Sequence, residues 1–330
     1  MQRREFITLL GGAAAWPLTA SAQQTAPLRH IGVLLVRKEG DPAAQASLAA
    51  LREALAKLGW MEGKNIKFEY RWVETDSSLI QHAAKELVAL QPNLIISAAS
   101  SPGTAFLLQQ TRTIPLLFVN IVDPVGQGFV ASMSRPGGNA TGFVNLETSM
   151  AGKWLELLKQ VMPRLMRAAV PFNPVTSPYA DLYLNYFKSI AKSLGVEIIA
   201  APITDMAAFE GFVAAQAHEP NTGLIPMPSA FMSAHEAEIA AIVTRHRVPA
   251  ISYNRAFAEA GGLASYGNDT NDNYRRAAAY VDRILKGENP SELPVQFPIK
   301  FELVINLKAA KTLGLEIPLT LLATADEVIE

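Results

Sequence analysis

The side chains that could carry catalysis are either missing or badly spaced. The five histidines, His30, His82, His218, His235 and His246, form no HxxxH or HExxH pair, so no helix face offers a metal two imidazoles. Cysteine is absent, which removes disulfides, thiolate metal sites and a cysteine nucleophile. There is no GxSxG elbow to raise a reactive serine. Gly126-Gln127-Gly128-Phe129-Val130-Ala131 fits GxGxxA, but it follows a fourth expected strand through an Asp-Pro turn, whereas a dinucleotide site needs it after the first. Gly59 to Asn65 faintly resembles a phosphate loop. Its spacing is wrong, no Ser or Thr follows Lys64, and it leads into a strand.

What remains is recognition without reaction, in residues at the ends of apolar runs. Ser97 to Gly103 closes one such run and opens a helix, with Ser101 read as N-cap and Pro102 in the first turn. The hydroxyls of Ser100 and Ser101 and the free N–H groups there suit an anion, although capping alone accounts for the same residues. In the second half Pro228-Ser229 holds the matching place. Ser233-Ala234-His235-Glu236 reads there as a capping box, which leaves Ser229 free to contact a ligand. Asn120 and Asn254 end matching runs, and Asn173 lies in the equivalent loop Phe172–Ser177. Asp123-Pro124 offers either a carboxylate for a ligand ammonium or an Asx turn. Phe172, Tyr253 and Tyr266 are either stacking surfaces for a planar solute or core and rim aromatics. Besides Glu39 and Asp41, Asp123 is the one acidic residue in these loops, so cationic solutes are expected to fit poorly.

These positions depend on an alternation of short apolar runs with longer amphipathic ones, the pattern of βαβ units and a parallel sheet. Strands are expected at His30–Val36, Ile66–Trp72, Leu94–Ala98, Ile114–Asn120 and Arg167–Asn173, with Asp41-Pro42 and Ser177-Pro178 opening helices. The chain also repeats itself. Phe187 to Gly195 mirrors Leu51 to Gly59, and Val248 to Asn254 mirrors Ile114 to Asn120, in the same order and with similar separations. Two α/β lobes follow, with the carboxyl ends of their strands on either side of one cleft, where open α/β sheets place ligands. The expected division is 28–142 with about 268–300 in one lobe, and 143–267 with about 301–330 in the other. Gly142–Asn145, Tyr266–Asp269 and Lys300–Leu303 then act as hinges.

The N-terminus reads as an export signal: Arg3 and Arg4, a short apolar stretch from Phe6 to Leu18, and a small-x-small site that places cleavage near Ala22. Arg3-Arg4-Glu5-Phe6-Ile7 fits either a twin-arginine or a general secretory route. No later stretch is apolar and long enough to span a bilayer, and the absence of cysteine leaves no lipid-anchor residue. The net charge of −1 becomes about −2 once residues 1–22 are removed, which gives no reason to expect nucleic acid or an anionic membrane as a partner.

Several segments together resemble one family. They are Arg3-Arg4-Glu5-Phe6, Leu58-Gly59-Trp60-Met61-Glu62-Gly63-Lys64-Asn65-Ile66, and Glu69-Tyr70-Arg71. To these add Val122-Asp123-Pro124-Val125, Arg135-Pro136-Gly137-Gly138-Asn139-Ala140-Thr141-Gly142, Val304 to Ala310, and Gly314-Leu315-Glu316-Ile317-Pro318. In combination the chain resembles the periplasmic substrate-binding components of ABC importers grouped with tryptophan- and tyrosine-binding proteins. The resemblance implies a type I periplasmic-binding fold, no catalysis, no cofactor, and a partner permease with its ATPase. The expected protein is therefore a monomer in the periplasm that captures a small organic solute, an aromatic or other carboxylate or an amino acid, by lobe closure. Two other readings stand beside it: a periplasmic sensor for a membrane receptor, and a two-lobed α/β hydrolase or transferase.

Overall fold

The computed structural model describes residues 28–99 and 101–330, so the expected export signal and Ser100 lie outside the described residues. The first sheet is built from β1 (Arg29–Val36), β2 (Ile66–Val73), β3 (Leu94–Ala98), β4 (Leu116–Ile121) and β5 (Ala140–Val144), all parallel in the order β2-β1-β3-β4-β5. The helices α1 (Pro42–Lys57), α2 (Ser77–Ala89) and α3 (Ser101–Gln110) connect them. β1 buries almost every residue because a parallel sheet is covered on both faces. Asp41 starts α1 by accepting from the Ala44 N–H at 2.8 Å, with Pro42 in the first turn where its missing N–H costs nothing.

The second lobe begins with α4 (Met150–Val161), β6 (Arg167–Phe172), α5 (Ala180–Leu194), β7 (Glu197–Pro202), α6 (Met206–Gln216) and β8 (Thr222–Leu224). There follow α7 (Ala230–Ala234), α8 (Glu236–Arg245), β9 (Ile251–Ser252), α9 (Arg255–Glu259) and β10 (Ala264–Asn268). After α10 (Thr270–Leu285), which packs on the first lobe, the second lobe is completed by β11 (Phe301–Asn306), α11 (Leu307–Leu313), α12 (Leu319–Leu322) and β12 (Glu327–Ile329). Strands β7-β6-β8 pair in parallel, and β12-β11-β10-β9 form a second group in which β10 and β11 run antiparallel. A bridge between Leu224 and Ala250 joins the two groups. Trp154 of α4 fills the centre of this lobe: its ring stacks on Tyr183, and its Nε1–H donates to the Tyr266 carbonyl at 2.6 Å.

Three passages of chain join the lobes. After β5 the chain enters α4. After β10 it enters α10, which buries Tyr274, Ala277, Ala278 and Val281 in the core of the first lobe beside Leu48 and Leu51 of α1. From a pairing of Gln296 with Phe143 it then returns to β11. The second and third passages are laced together: Asp269 donates its N–H to the Lys300 carbonyl at 3.0 Å, and Lys300 Nζ reaches Asp269 Oδ2 at 3.0 Å. α5 starts at Ala180 rather than at Ser177-Pro178. Asn173 Oδ1 folds the preceding residues into a turn by accepting from the Thr176 N–H, so Ser177 is no helix cap.

The strands that lead into the first two crossings, β5 and β10, each need a glycine. A Cβ at Gly142 would lie 2.0 Å from the Phe118 carbonyl oxygen, and one at Gly267 would lie 1.7 Å from that of Tyr253. No side chain rotation relieves a clash with backbone. Gly267→Ala should therefore lower stability by about 1–3 kcal/mol or more, as overpacking does. Gly211, exposed in α6 with nothing near its Cβ position, is the control. Gly211→Ala should stabilise the helix by roughly 0.5–1 kcal/mol. Chemical denaturation of the two variants checks both signs.

Candidate functional site

The carboxyl ends of β1, β3 and β4 face the loops after β8 and β9 across a cavity of about 640 Å³. That is an ordinary size for a small-molecule site. One wall carries Arg37, Ser101, Asn120 and Tyr274, and the other carries Tyr179, Ser229, Tyr253, Asn254 and Glu236. The walls touch: Arg37 Nη1 of the first lobe donates to the Ser233 carbonyl of the second at 2.7 Å.

Asn120 and Asn254 line this space with their carbonyl oxygens already used, which leaves their amide N–H₂ groups as the side-chain donors there. Asn273 Nδ2 donates to the Val144 carbonyl at 3.0 Å and must therefore also be the donor to Asn120 Oδ1, at 2.7 Å. Asn254 Oδ1 caps α9 by accepting from the Ala256 N–H at 3.1 Å. Backbone groups thus fix both amide orientations. Asn120 takes a left-handed φ of 63°, a conformation asparagine tolerates better than most residues. Beside it, buried Ser97 and Thr104 share a hydrogen bond at 2.8 Å that latches β3 to α3 and sets the position of Ser101.

The second-lobe wall corrects the expected assignment of caps. Ser229 caps α7, its Oγ accepting from the Met232 N–H at 3.1 Å, so Ser229 is not a free hydroxyl even though it borders the cleft. Ser233 forms no capping box, because α8 has no side-chain cap. Its hydroxyl instead shares a hydrogen bond with Tyr253 Oη. Glu236 is left on the cleft wall, buried to 6 % exposure, with Oε2 accepting from Ser252 Oγ at 3.3 Å and Oε1 without a hydrogen-bond partner among the described residues. Burial pushes its carboxyl up to about 8, against the opposing pull of Arg37 and of the Ser252, Asn254 and Tyr253 side chains.

Four other expected contacts are placed away from the cleft. Asp123 forms the Asx turn, its Oδ1 accepting from the Gly126 N–H at 2.9 Å, and it does not line the cavity. Asn173 is consumed by its own loop, donating to the Ile203 carbonyl at 3.0 Å. Phe172 packs on the second lobe's core, and Tyr266 stacks on Phe301 beside a separate depression next to α4. The expectation that acidic groups would be scarce is also overturned. Asp41, Glu236, Glu259, Asp269 and Glu302 line the cleft against Arg37 and Arg255. Four of the five come from helix ends and crossing segments, which a survey of strand-end loops passes over. Tyr179 and Tyr274 were missed for the same reason, since one precedes α5 and the other sits inside α10.

A profile of the family described as ABC transporter substrate binding protein matches residues 33–329. The chain belongs to that family. It is a substrate-binding protein rather than an enzyme, serving a small-molecule ligand and the other components of an ABC transporter. A tyrosine-binding protein of Clostridioides difficile is 23% identical over 264 residues, covering 80% of this chain and 75% of that one. A Vibrio cholerae structure described as a conserved domain protein is 26% identical, with a TM-score of 0.83 over 92% of this chain and 100% of the other. The ABC domain from Streptococcus pneumonia in complex with L-Trp is 24% identical, with a TM-score of 0.82 over 91% and 99%. These likenesses agree with the type I binding-protein architecture of two α/β lobes. Among the described residues no helix is long and apolar enough to cross a membrane, and no cluster of three His, Cys, Asp or Glu could hold a metal.

The buried Glu236 carboxyl gives the folded protein a pH signature. The unfolded chain ionises this group near its usual value of 4.5, whereas the folded protein keeps it protonated to about 8. The folded state thus binds the extra proton, and stability falls as pH rises through that window. Glu236→Gln should remove this fall. Its stability relative to wild type should grow between about pH 5 and 8, by at most ~1.4 kcal/mol per pH unit. Denaturation curves of both proteins at several pH values measure the difference.

Proposed function

We propose that the cleft captures a free amino acid with an aromatic or other apolar body, as the periplasmic solute-binding component of an ABC importer. The observation that carries this reading is the pair Asn120 and Asn254. They are equivalent residues of the two lobes, and each brings a side-chain amide whose oxygen is already engaged to the wall of one cavity, from opposite sides. Two converging N–H donors suit a carboxylate, and the start of α3 at Ser101 adds backbone N–H groups and a positive dipole end on the same wall. Tyr179, Tyr253 and Tyr274, with Val119 and Val122, supply apolar and aromatic surface for the rest of the solute. Relatives described as binding tyrosine and L-Trp support the same class. The protein works as a free monomer exported by the N-terminal signal.

Calorimetry with L-tryptophan, L-tyrosine, L-phenylalanine and a panel of sugars tests the class. Binding of an aromatic amino acid and not of sugars is expected, and binding of sugars alone would end this reading. Asn120→Gly keeps the left-handed backbone without the amide, and Asn254→Ser keeps the α9 cap. Each should weaken the best amino acid by about 10- to 100-fold, the cost of one hydrogen bond to a charged group.

Capture closes the lobes about the three crossings, with the Asp269–Lys300 lacing holding two of them together. Small-angle scattering should then show a smaller radius of gyration at ligand saturation. An identical profile with and without bound ligand would contradict closure.

A further inference from the structure

The charges on the cleft wall pair off and leave one carboxyl over. Asp41 holds Arg37, Glu259 and Glu302 hold Arg255, and Asp269 holds Arg275 and Lys300. Among the described residues Glu236 forms no ion pair, and its Oε1 has no hydrogen-bond partner although the residue is nine-tenths buried and lines the cavity. A buried ionised carboxylate without a partner is unfavourable by several kcal/mol, so a group in this setting is held neutral.

The groups packed around it do not supply the missing charge. Arg37 approaches from the first lobe but is engaged by Asp41 and the Ser233 carbonyl. From β9 and the residues after it come Ser252, the hydroxyl of Tyr253 and the Asn254 side chain, none of them cationic. Arg255 of α9 is tied to Glu259, Glu302 and Glu327. α11 presents Lys308 and Lys311 on its exposed side. On α6, Glu210 is occupied by Arg245 and His246. Beside Glu236 in sequence, His235 Nδ1 is bound to the Phe231 carbonyl and Glu238 is exposed.

Resting on the amino-acid reading above, we infer that Glu236 recognises the ammonium of the solute and that it gives up its own proton as the ammonium arrives. The protonated carboxyl meets R–NH₃⁺, the O–H bond breaks, the proton leaves to solvent, and a carboxylate–ammonium pair remains. The zwitterion brings no net charge and one proton departs, so the occupied site is more negative by one unit, with the Glu236 carboxylate balanced locally by the ammonium and the solute carboxylate by the amide donors. The free carboxyl's rise to about 8 sets the range of pH over which the proton is there to be lost. The first turn of α8 then faces a carboxylate with its positive end, which favours the ionised form. This makes Glu236, rather than Asp123, the residue that separates amino acids from other carboxylates.

Titration calorimetry of the wild-type chain with L-tryptophan at about pH 7, in buffers of different ionisation enthalpy, reads the proton directly. The observed enthalpy should vary linearly with buffer enthalpy, with a slope of close to one proton released. At pH values below the free carboxyl's midpoint, affinity should also tighten by about tenfold for each unit rise in pH. Indole-3-propionate has the same ring and carboxylate without the ammonium, and it should bind with no buffer dependence. In Glu236→Gln the slope for L-tryptophan should vanish and its affinity should fall by at least about tenfold, with indole-3-propionate unaffected. L-tryptophan binding with zero slope in the wild type overturns the proton exchange alone. Unchanged L-tryptophan affinity in Glu236→Gln overturns the ammonium contact. Failure of every aromatic amino acid to bind overturns the functional reading, and this inference with it.

Discussion

The second wall of the cleft is held in place by Tyr253, which answers to three separate packing demands. Its ring lies against Trp154 at a centroid distance of 6.4 Å, so the core of the lobe fixes the direction of the side chain. Its hydroxyl donates to the Ser229 carbonyl at 3.2 Å and shares a hydrogen bond with Ser233, which anchors the short helix α7. Its own carbonyl presses on β10 so closely that residue 267 must be glycine. Core, helix and crossing strand therefore meet at one residue that also borders the cavity. Asn254 follows it in sequence, and Glu236 sits where Ser233 and α7 leave it. Preorganisation of this wall is thus a property of the core rather than of flexible loops.

The architecture was largely legible because it is written in periodicity. Apolar runs of strand length, Asp41-Pro42 at a helix start, and the mirrored segments ending at Asn120 and Asn254 all arise from local rules that survive folding. The site was legible only where it coincides with strand ends: Ser101, Asn120, Ser229, Tyr253 and Asn254 do line the cavity. Ser229 and Ser233 exchanged roles because both are plausible caps, and the tertiary partner Tyr253, 20 residues from Ser233, decides between them. Asp123 was attractive as the nearest carboxylate in sequence, but the left-handed backbone there bends its side chain back onto Gly126. Tyr274 and Glu236 lie in helices whose orientation depends on how the chain crosses between lobes, which no local pattern specifies.

An acid that can be neutral or charged discriminates differently from one that is always charged. Asp41, Asp269 and Glu302 are paired with basic side chains, and paired charges offer an incoming group little further gain. A permanently ionised, unpaired carboxylate on the same wall would repel every acidic solute and would destabilise the folded wall. The protonated form of Glu236 avoids both costs, because a neutral carboxyl can stay buried in the wall of its own lobe beside Ser252. Selectivity then comes from gain rather than repulsion: a solute bearing ammonium converts the carboxyl to its strongly binding form, and one without ammonium leaves it unchanged. The same property links retention to proton activity, since a rise in local acidity restores the neutral carboxyl and weakens the grip on the ammonium. A cleft that must both capture and hand over its solute benefits from a contact whose strength is set by a proton, because the lobes themselves need store no strain to let go.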